Sequence, residues 1–580
     1  MATQKLELTW IEKDKQEPIE PRVMIEDSKL SYKKEGVSLF EKNNFDNMLI
    51  HGDNLLALKA LEKDFSGEIK CIYIDPPYNT GSAFEHYDDN IEHSIWLNLM
   101  YRRLESFKKL LKDDGVIFIQ IDYNEQAYLK VVCDEIFGRE NFITMITCKV
   151  KAPSGIASGA SAFFDCSEYI LMYCKNKRNF TFNQVKIDSS IIGPSSPKVT
   201  NVYNQLINKW GNFHDFGAFE DVDIKEMDEN EFDISTITKA NRTEEVYYNN
   251  YMNVFRLAAI SGGRDKKILS WLTSQPNYNK DRIYSYTYVA SQGKNKGKLI
   301  TNYIYKGGNI LMLRDFVRVD DARKKVYKQD ILTNIFYTDW WQGLTNEGGV
   351  DFKNGQKPEK LISTLLQVTT KEGDLVLDSF LGSGTTCAVA HKMNRRWIGV
   401  EMGQHIYTHC KPRIDSIING EDQTGITKDV NWKFGGGYKF YELAPTLINT
   451  DILGEPIINK NYSSEMLAAA VALHEGFNYC PNPNVFWKQS VSTENSYLFV
   501  TTAHLSDLLV KEIEKQMSED EFLLIACKSF DKSAANVSDK IKIKKIPQML
   551  LGKCEFGKDD YSLNIVNPPV YEYEEEDCDE

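Results

Sequence analysis

The sequence predicts a doubly wound α/β fold, interrupted by an inserted domain and followed by a further α/β extension. Three observations predict it. Short apolar, β-branched runs alternate with segments of helical spacing on both sides of a central block. One such run ends in an acid and a Gly-Ser-Gly turn that opens a helix. Between residues 176 and 334 the rhythm is lost, and Gly, Asn, Lys and Tyr dominate.

The elements follow in order. Residues 1–40 are polar and mixed in charge, and read as an arm. Leu55, Leu58, Ala60 and Leu61 have helical spacing. Ile69–Ile74 (IKCIYI) reads as a buried parallel strand, ended by Asp75-Pro76-Pro77 because proline cannot continue a ladder. Ile95–Leu111 is a helix, Asp113-Asp114-Gly115 a turn, and Val116–Ile121 and Tyr169–Tyr173 are strands. Residues 41–175 thus form one half of a sheet and 335–424 the other. The second half has a helix at Pro358–Thr369, a strand at Leu375–Leu377, a helix at Ala388–Met393 and a strand at Trp397–Val400. A third region, 425–580, opens with GGGYKFYEL. It holds a helix at Ser464–His474, strands at Tyr497–Thr501 and Phe522–Cys527, and an acidic tail.

The 580 residues allow two to four domains at roughly 150 residues each. With 42% hydrophobic and 26% charged residues a normal core is expected. No apolar run approaches the roughly 18 residues of a membrane span, and the N-terminus does not read as a secretory signal. A cytoplasmic protein without a membrane partner is expected. The eleven cysteines contain no Cys-x-x-Cys pair and read as reduced thiols. His405 and His409 lie four apart beside Cys410, but nothing completes a ligand set, so an ordinary surface helix is expected and no metal. The net charge of −14 argues against a nucleic-acid partner until its distribution is read. The tail 571–580 carries seven acids and no base. Residues 220–249 hold ten acids against three bases, whereas 250–330 hold sixteen Lys and Arg against six Asp. Local patches set phosphate affinity, so the +10 stretch is the candidate nucleic-acid surface.

Two segments carry chemistry. In LVLDSFLGSGTT, residues 375–386, a strand delivers Asp378 and Gly382-Ser383-Gly384 turns into a helix. Glycines there permit a tight turn and close approach of a ligand. Glu401 ends the next strand, seventeen residues after Gly384, where an acid suits both hydroxyls of a ribose. An adenosine-containing cofactor is therefore expected. A phosphate loop is disfavoured, because Gly552 to Lys558 is followed by Asp559 where Ser or Thr would hold the metal. The second segment is Asp75-Pro76-Pro77-Tyr78-Asn79. Two prolines fix φ and aim the carbonyls rigidly. The Asp75 carboxylate and Pro76 carbonyl can accept hydrogen bonds from one amino group, and Tyr78 offers a flat face on which a base can stack. Two acceptors on the protons of a conjugated amine favour the pyramidal state in which it attacks a methyl sulfonium. Asn567-Pro568-Pro569 lacks the following aromatic residue and reads as linker.

Asp75–Gly81 and Asp378–Thr386 resemble the catalytic and cofactor motifs of amino-directed DNA methyltransferases that use S-adenosylmethionine. Their order is that of the beta class, a circular permutation of one Rossmann-like sheet: catalytic motif, target-recognition insert, cofactor motif. Residues 347–361 and Gly436–Leu443 resemble segments of modification subunits of Type III restriction systems. The resemblance covers 45–180 and 335–445 well, and the insert and the last 130 or so residues in position only. It implies that Asp75, Pro76, Pro77 and Tyr78 act on the base, with Asp53 and Asn79 at its pocket. Phe380 would lie by the cofactor adenine, with Asp378, Gly382 and Gly384 at the methionine end, Glu401 on the ribose and Ser383 also binding the cofactor. Lys357, Pro358 and Thr385 would line the same pocket. Asp at the first catalytic position is usual for adenine N6, and Ser for cytosine N4. C5 chemistry needs a cysteine, typically after proline, and none of the seventeen prolines precedes one.

A base in a duplex cannot reach Asp75, so flipping is implied, at a cost of a few kcal/mol that phosphate contacts must offset. Arg264, Lys266, Lys267, Lys294, Lys296 and Lys298 are the candidates on double-stranded DNA, with tyrosines interleaved at 278, 284, 286, 288, 303 and 305. The resemblance further implies a homodimer and an ATP-dependent restriction subunit as partner. Open alternatives are a solitary regulatory methyltransferase, a cytosine-N4 enzyme, methylation of RNA or protein, and a non-catalytic recognition subunit.

Overall fold

The computed structural model describes residues 7–14, 16–34, 46–78, 89–151, 164–290, 296–344, 347–350, 352, 355–492 and 495–562. The chain divides into two units, one of residues 1–183 and 333–580 and the other of residues 184–332.

The first unit is built on one sheet. Its strands are β1 (Asn47–His51), β2 (Ile69–Ile74), β3 (Leu111–Ile121), β4 (Phe142–Lys149), β5 (Ser167–Cys174), β6 (Leu375–Asp378), β7 (Arg396–Glu401) and β8 (Gly436–Leu443). Their spatial order is β8-β1-β7-β6-β2-β3-β5-β4. Every neighbouring pair from β8 to β3 is parallel, and β5 runs antiparallel to both β3 and β4. Helices α1 (Asn54–Phe65), α2 (Asp89–Leu110), α3 (Tyr123–Cys133), α4 (Glu359–Thr369), α5 (Thr385–Lys392) and α6 (Lys411–Asn419) supply the crossovers and cover the sheet. All six residues of β2 and all four of β6 are buried, as expected for strands covered on both faces.

Two expectations are corrected here. Asp113-Asp114-Gly115 is no turn. Leu111 already pairs with Ile69, and the register then slips so that Cys71 faces Val116. Gly115 sits in this bulge, where a Cβ would lie 2.8 Å from the Lys112 carbonyl and 3.0 Å from that of Ile69. GGGYKFYEL does not open a separate region either. It forms β8 on the main sheet beside β1, with Tyr438 and Phe440 fully buried against the rings of Trp397 and Tyr407. The short strands Met24–Glu26 and Tyr32–Lys34 of the N-terminal segment pair with β8 in turn.

Beyond β8 lies a smaller parallel ladder. Strands β9 (Ser496–Leu505), β10 (Phe522–Phe530) and β11 (Ile541–Lys545) follow helix α7 (Ser464–Glu475), and α8 (Asp507–Gln516) crosses from β9 to β10. The second unit contains an eight-stranded and a three-stranded sheet.

Behind the glycine turn of the first unit lies a buried ionic network. Glu359, at the start of α4, meets Lys392 at 2.8 Å and Arg413 at 2.9 Å, and accepts the Ile426 N–H at 3.0 Å. Lys392 also meets Asp422 at 2.6 Å. Gly425 touches this carboxylate so closely that a Cβ would stand 2.1 Å from Glu359 Oε2. Removing one member strands a charge in low dielectric. Lys392→Met is expected to lower stability by about 3–5 kcal/mol, because Asp422 loses its cation. A urea-unfolding midpoint unchanged from the parent would contradict this.

Candidate active site

Neighbouring strands β2 and β6 bring the two segments together. Cys71 and Ile72 pair with Val376 and Leu377, so Asp75 and Asp378 leave the sheet at the same edge. The prolines stop β2 at that edge, and the Pro77 carbonyl is fixed by the Trp96 indole at 2.8 Å.

Around Asp75 the side chains form a charged cluster. The Tyr78 hydroxyl lies 2.9 Å from Asp75 Oδ1 and 3.0 Å from Glu168 Oε2, as donor to either. The Lys357 ammonium meets Asp75 Oδ2 at 3.1 Å and Glu168 Oε2 at 3.2 Å. It also lies 5.3 Å from the centre of the Tyr78 ring. Glu168 Oε2 further accepts from the Gln120 amide, whose own oxygen takes the Tyr73 hydroxyl at 2.6 Å. Burial lifts the Asp75 carboxyl above the usual range, with Lys357 opposing. Burial acts on Glu168 too, but Lys357 and the hydrogen bonds from Gln120 and Tyr78 outweigh it and hold that carboxyl low.

The glycine turn is built around Asp378. Its Oδ1 accepts the Phe380 N–H at 3.0 Å and its Oδ2 the Thr386 hydroxyl at 2.6 Å. Burial nevertheless raises this carboxyl to about 7. Gly382 and Gly384 have φ of 55° and 84°, in the left-handed region. A Cβ on Gly384 would stand 3.3 Å from the Cys410 backbone, whereas one on Gly382 would meet only a Phe352 ring carbon at 4.0 Å. The turn is thus tight behind and open in front. Glu401 closes its side, accepting the N–H groups of Gly382 and Gly403 at 2.8 Å each and facing His405 at 3.1 Å. Phe380 is partly buried against the core. His405 and His409 pack on Phe352 near a π-helical turn, Ile406–Cys410, that leads into α6. Among the described residues there is no metal-ligand cluster.

Several expected site residues have structural partners as well. Lys357 stands in the Asp75 cluster, held by two carboxylates. Pro358 is the N-cap of α4. The Ser383 and Thr385 hydroxyls face each other at 3.0 Å, and Arg413 donates to Thr385 at 2.9 Å, so both turn into the buried network. Asp53, expected at the base pocket, caps α1 through Leu55 and Leu56, and its second oxygen accepts the Tyr561 N–H at 2.9 Å. Asn79 and Lys294 lie outside the described residues. In the second unit Lys266, Lys267, Lys296 and Lys298 are exposed, and the Arg264 guanidinium lies 4.6 Å from the Tyr288 ring centre. Tyr284 and Tyr286 are core residues of that unit, not surface rings, because their sheet buries them. Glu168 and Gln120 went unnoticed in the sequence. The one available signal was an acid directly before the apolar run Tyr169–Tyr173.

The doubly wound sheet thus brings a glycine turn and an Asp-Pro-Pro-Tyr end together on adjacent strands. A family model for DNA methylases that modify N6 or N4 matches residues 69–412, and the chain belongs to that family. The HindVI Mod subunit of a type III restriction-modification enzyme from Haemophilus influenzae is 39% identical over 421 residues, covering 69% of this chain and 54% of that protein. The EcoPI Mod subunit of Escherichia phage P1 is 29% identical over 404 residues, covering 61% and 56%. The EcoP15I Mod subunit of Escherichia coli is 27% identical over 406 residues, covering 61% and 57%. The chain spans about half the length of these curated relatives.

The raised Asp378 carboxyl has a consequence for stability. Between its unfolded value near 4 and its folded value of about 7 the folded chain binds a proton that the unfolded chain lacks. Its contribution is full below that window and is lost as pH rises through it. The thermal midpoint should therefore fall between pH 5 and 7.5 by an amount that Asp378→Asn removes. A parent and variant with parallel pH profiles would show that Asp378 stays ionised.

Proposed function

We propose that the chain methylates adenine N6 in DNA with S-adenosylmethionine as donor, as the modification subunit of a Type III-like restriction-modification system. The observation that carries this reading is the adjacency of the Asp75–Tyr78 end of β2 and the glycine turn after β6. S-adenosylmethionine, when bound, supplies an electrophilic methyl group on a sulfonium. The residues present fit it: an open face at Gly382, a buried acid at Asp378, a carboxylate at Glu401 oriented by two backbone N–H groups, and an aromatic ring at Phe380.

The protein's part is to present the amine. Asp75 and the Pro76 carbonyl accept hydrogen bonds from its two N–H groups and turn its lone pair outward, a preorganised electrostatic effect. The flipped base stacks beside Tyr78, and a few kcal/mol of unstacking is met by phosphate contacts of the second unit, for which Arg264, Lys266, Lys267, Lys296 and Lys298 are the candidates. Asp at position 75 favours adenine over cytosine. The relatives named as Mod subunits of type III restriction-modification enzymes support a restriction subunit as partner; that the chain pairs as a homodimer is proposed from the family resemblance.

Expression in a methylation-free bacterial host, followed by single-molecule mapping of modified bases, tests this. N6-methyladenine at one short motif is expected, and its loss with Asp75→Ala, by a factor of about 10²–10³ for loss of one electrostatic group. Digestion of the product to nucleosides separates N6-methyladenine from N4-methylcytosine. Unmodified DNA from cells containing folded protein would sink the reading.

A further inference from the structure

The Asp75 cluster holds more charge than amine presentation needs. Lys357 occupies Asp75 Oδ2 at 3.1 Å, one of the acceptor atoms a target amine would use, and its ammonium lies by the Tyr78 ring, where the base would stack. Lys357 therefore competes with a target amine for that oxygen and for the space beside the ring. The ammonium, however, has a second carboxylate within reach, Glu168 at 3.2 Å. The two anions are unequally held. Glu168 Oε2 is anchored from behind by the Gln120 amide, and Gln120 is itself oriented by the buried Tyr73 hydroxyl at 2.6 Å. The side-chain donors on Asp75 are Tyr78 and Lys357, the same two groups that Glu168 shares. The single Tyr78 proton can likewise serve either carboxylate.

Building on the proposed function, we propose that Lys357 is a transferable counter-ion. In the free chain its ammonium is shared by Asp75 and Glu168. When the target amine takes Asp75, Glu168 is the one carboxylate that keeps Lys357, beside the Tyr78 hydroxyl oxygen at 3.2 Å, and Tyr78 turns its proton to Glu168 as well. Glu168 is thus a positioning residue: it touches no reacting atom but makes the Asp75 acceptor available. A like-charged neighbour also keeps Asp75 a strong acceptor for the amine, while the ammonium prevents repulsion from emptying the pocket of charge.

The hold on Lys357 is read by graded acetylation with an amine-reactive ester and mass spectrometry, each rate taken against the urea-unfolded chain and against exposed Lys360. Lys357 should stay protected in the parent, in Asp75→Asn and in Glu168→Gln, and lose roughly tenfold protection only when both changes are combined, since neither carboxylate partner then remains. Release by Asp75→Asn alone, or continued protection in the folded double variant, overturns the proposal. On the methylated motif, Glu168→Gln should raise the KM for DNA roughly tenfold, with S-adenosylmethionine affinity within twofold of the parent. The double variant Glu168→Gln/Lys357→Met should be no worse than Lys357→Met alone, because the plug is gone with its counter-ion. Additive effects overturn the proposal. Should the parent transfer no methyl group to DNA, the proposed function falls, and the labelling pattern still decides whether two carboxylates share Lys357.

Discussion

The pairing of β2 with β6 is the constraint on which the rest depends. These strands come from segments far apart in the chain; the Thr369 hydroxyl reaches Cys71 Sγ across 298 residues. Both strands are buried throughout, so neither has the apolar/polar alternation that fixes register elsewhere. A one-residue slip would leave the strand interiors equally apolar. The polar ends are what distinguish the registers. Asp378 must reach the Phe380 N–H and the Thr386 hydroxyl, and β2 must stop at Pro76 and Pro77, with Trp96 on the Pro77 carbonyl. The residues that carry the chemistry are therefore also the residues that define the alignment of the core.

The ionic network behind the glycine turn answers a related problem. A turn with two left-handed glycines has little intrinsic rigidity. Arg413 reaches Thr385 from one side and Glu359 from the other, and Lys392 ties Glu359 to Asp422. Buried ion pairs contribute little net stability over well-packed apolar groups, but they are unforgiving of misalignment. Here that property fixes the N-terminus of α5 relative to α4 and α6. It also accounts for the Ser383 and Thr385 hydroxyls, which face each other and Arg413.

Patterns local to a few residues were legible. The apolar runs of β2, β6 and β7 and the helical spacing of α1 and α4 identify themselves, because each element buries its own stripe or both faces. The two motifs stand out because proline and glycine have few other reasons to occur in those positions. Elements whose meaning depends on a distant partner did not show. Asp113-Asp114-Gly115 has turn composition, and only the opposing Ile69 carbonyl makes it a bulge. The β8 strand carries no sign that its neighbour is β1. Asp53 looks like a free acid until Tyr561 arrives from the other end of the chain. Glu168 has no motif at all; its significance lies in the convergence of Lys357, Tyr78 and Gln120, which three separate segments bring to one oxygen.

The cluster divides its labour between rigid and movable parts. Asp75 and Pro76 stand on a strand end that covalent geometry restricts. Glu168 and Gln120 project from adjacent antiparallel strands, where Gln120 pairs with Ile170, so their spacing follows the sheet. Lys357, just ahead of α4, has the longest side chain of the cluster and the most rotamers, and it is the part asked to move. Its displacement demands no backbone change, and the anion it approaches already has two other donors. A site that must be both charged and vacant for a neutral base can meet the two demands in this way. It keeps the compensating cation within one side chain's reach and gives it a second place to rest.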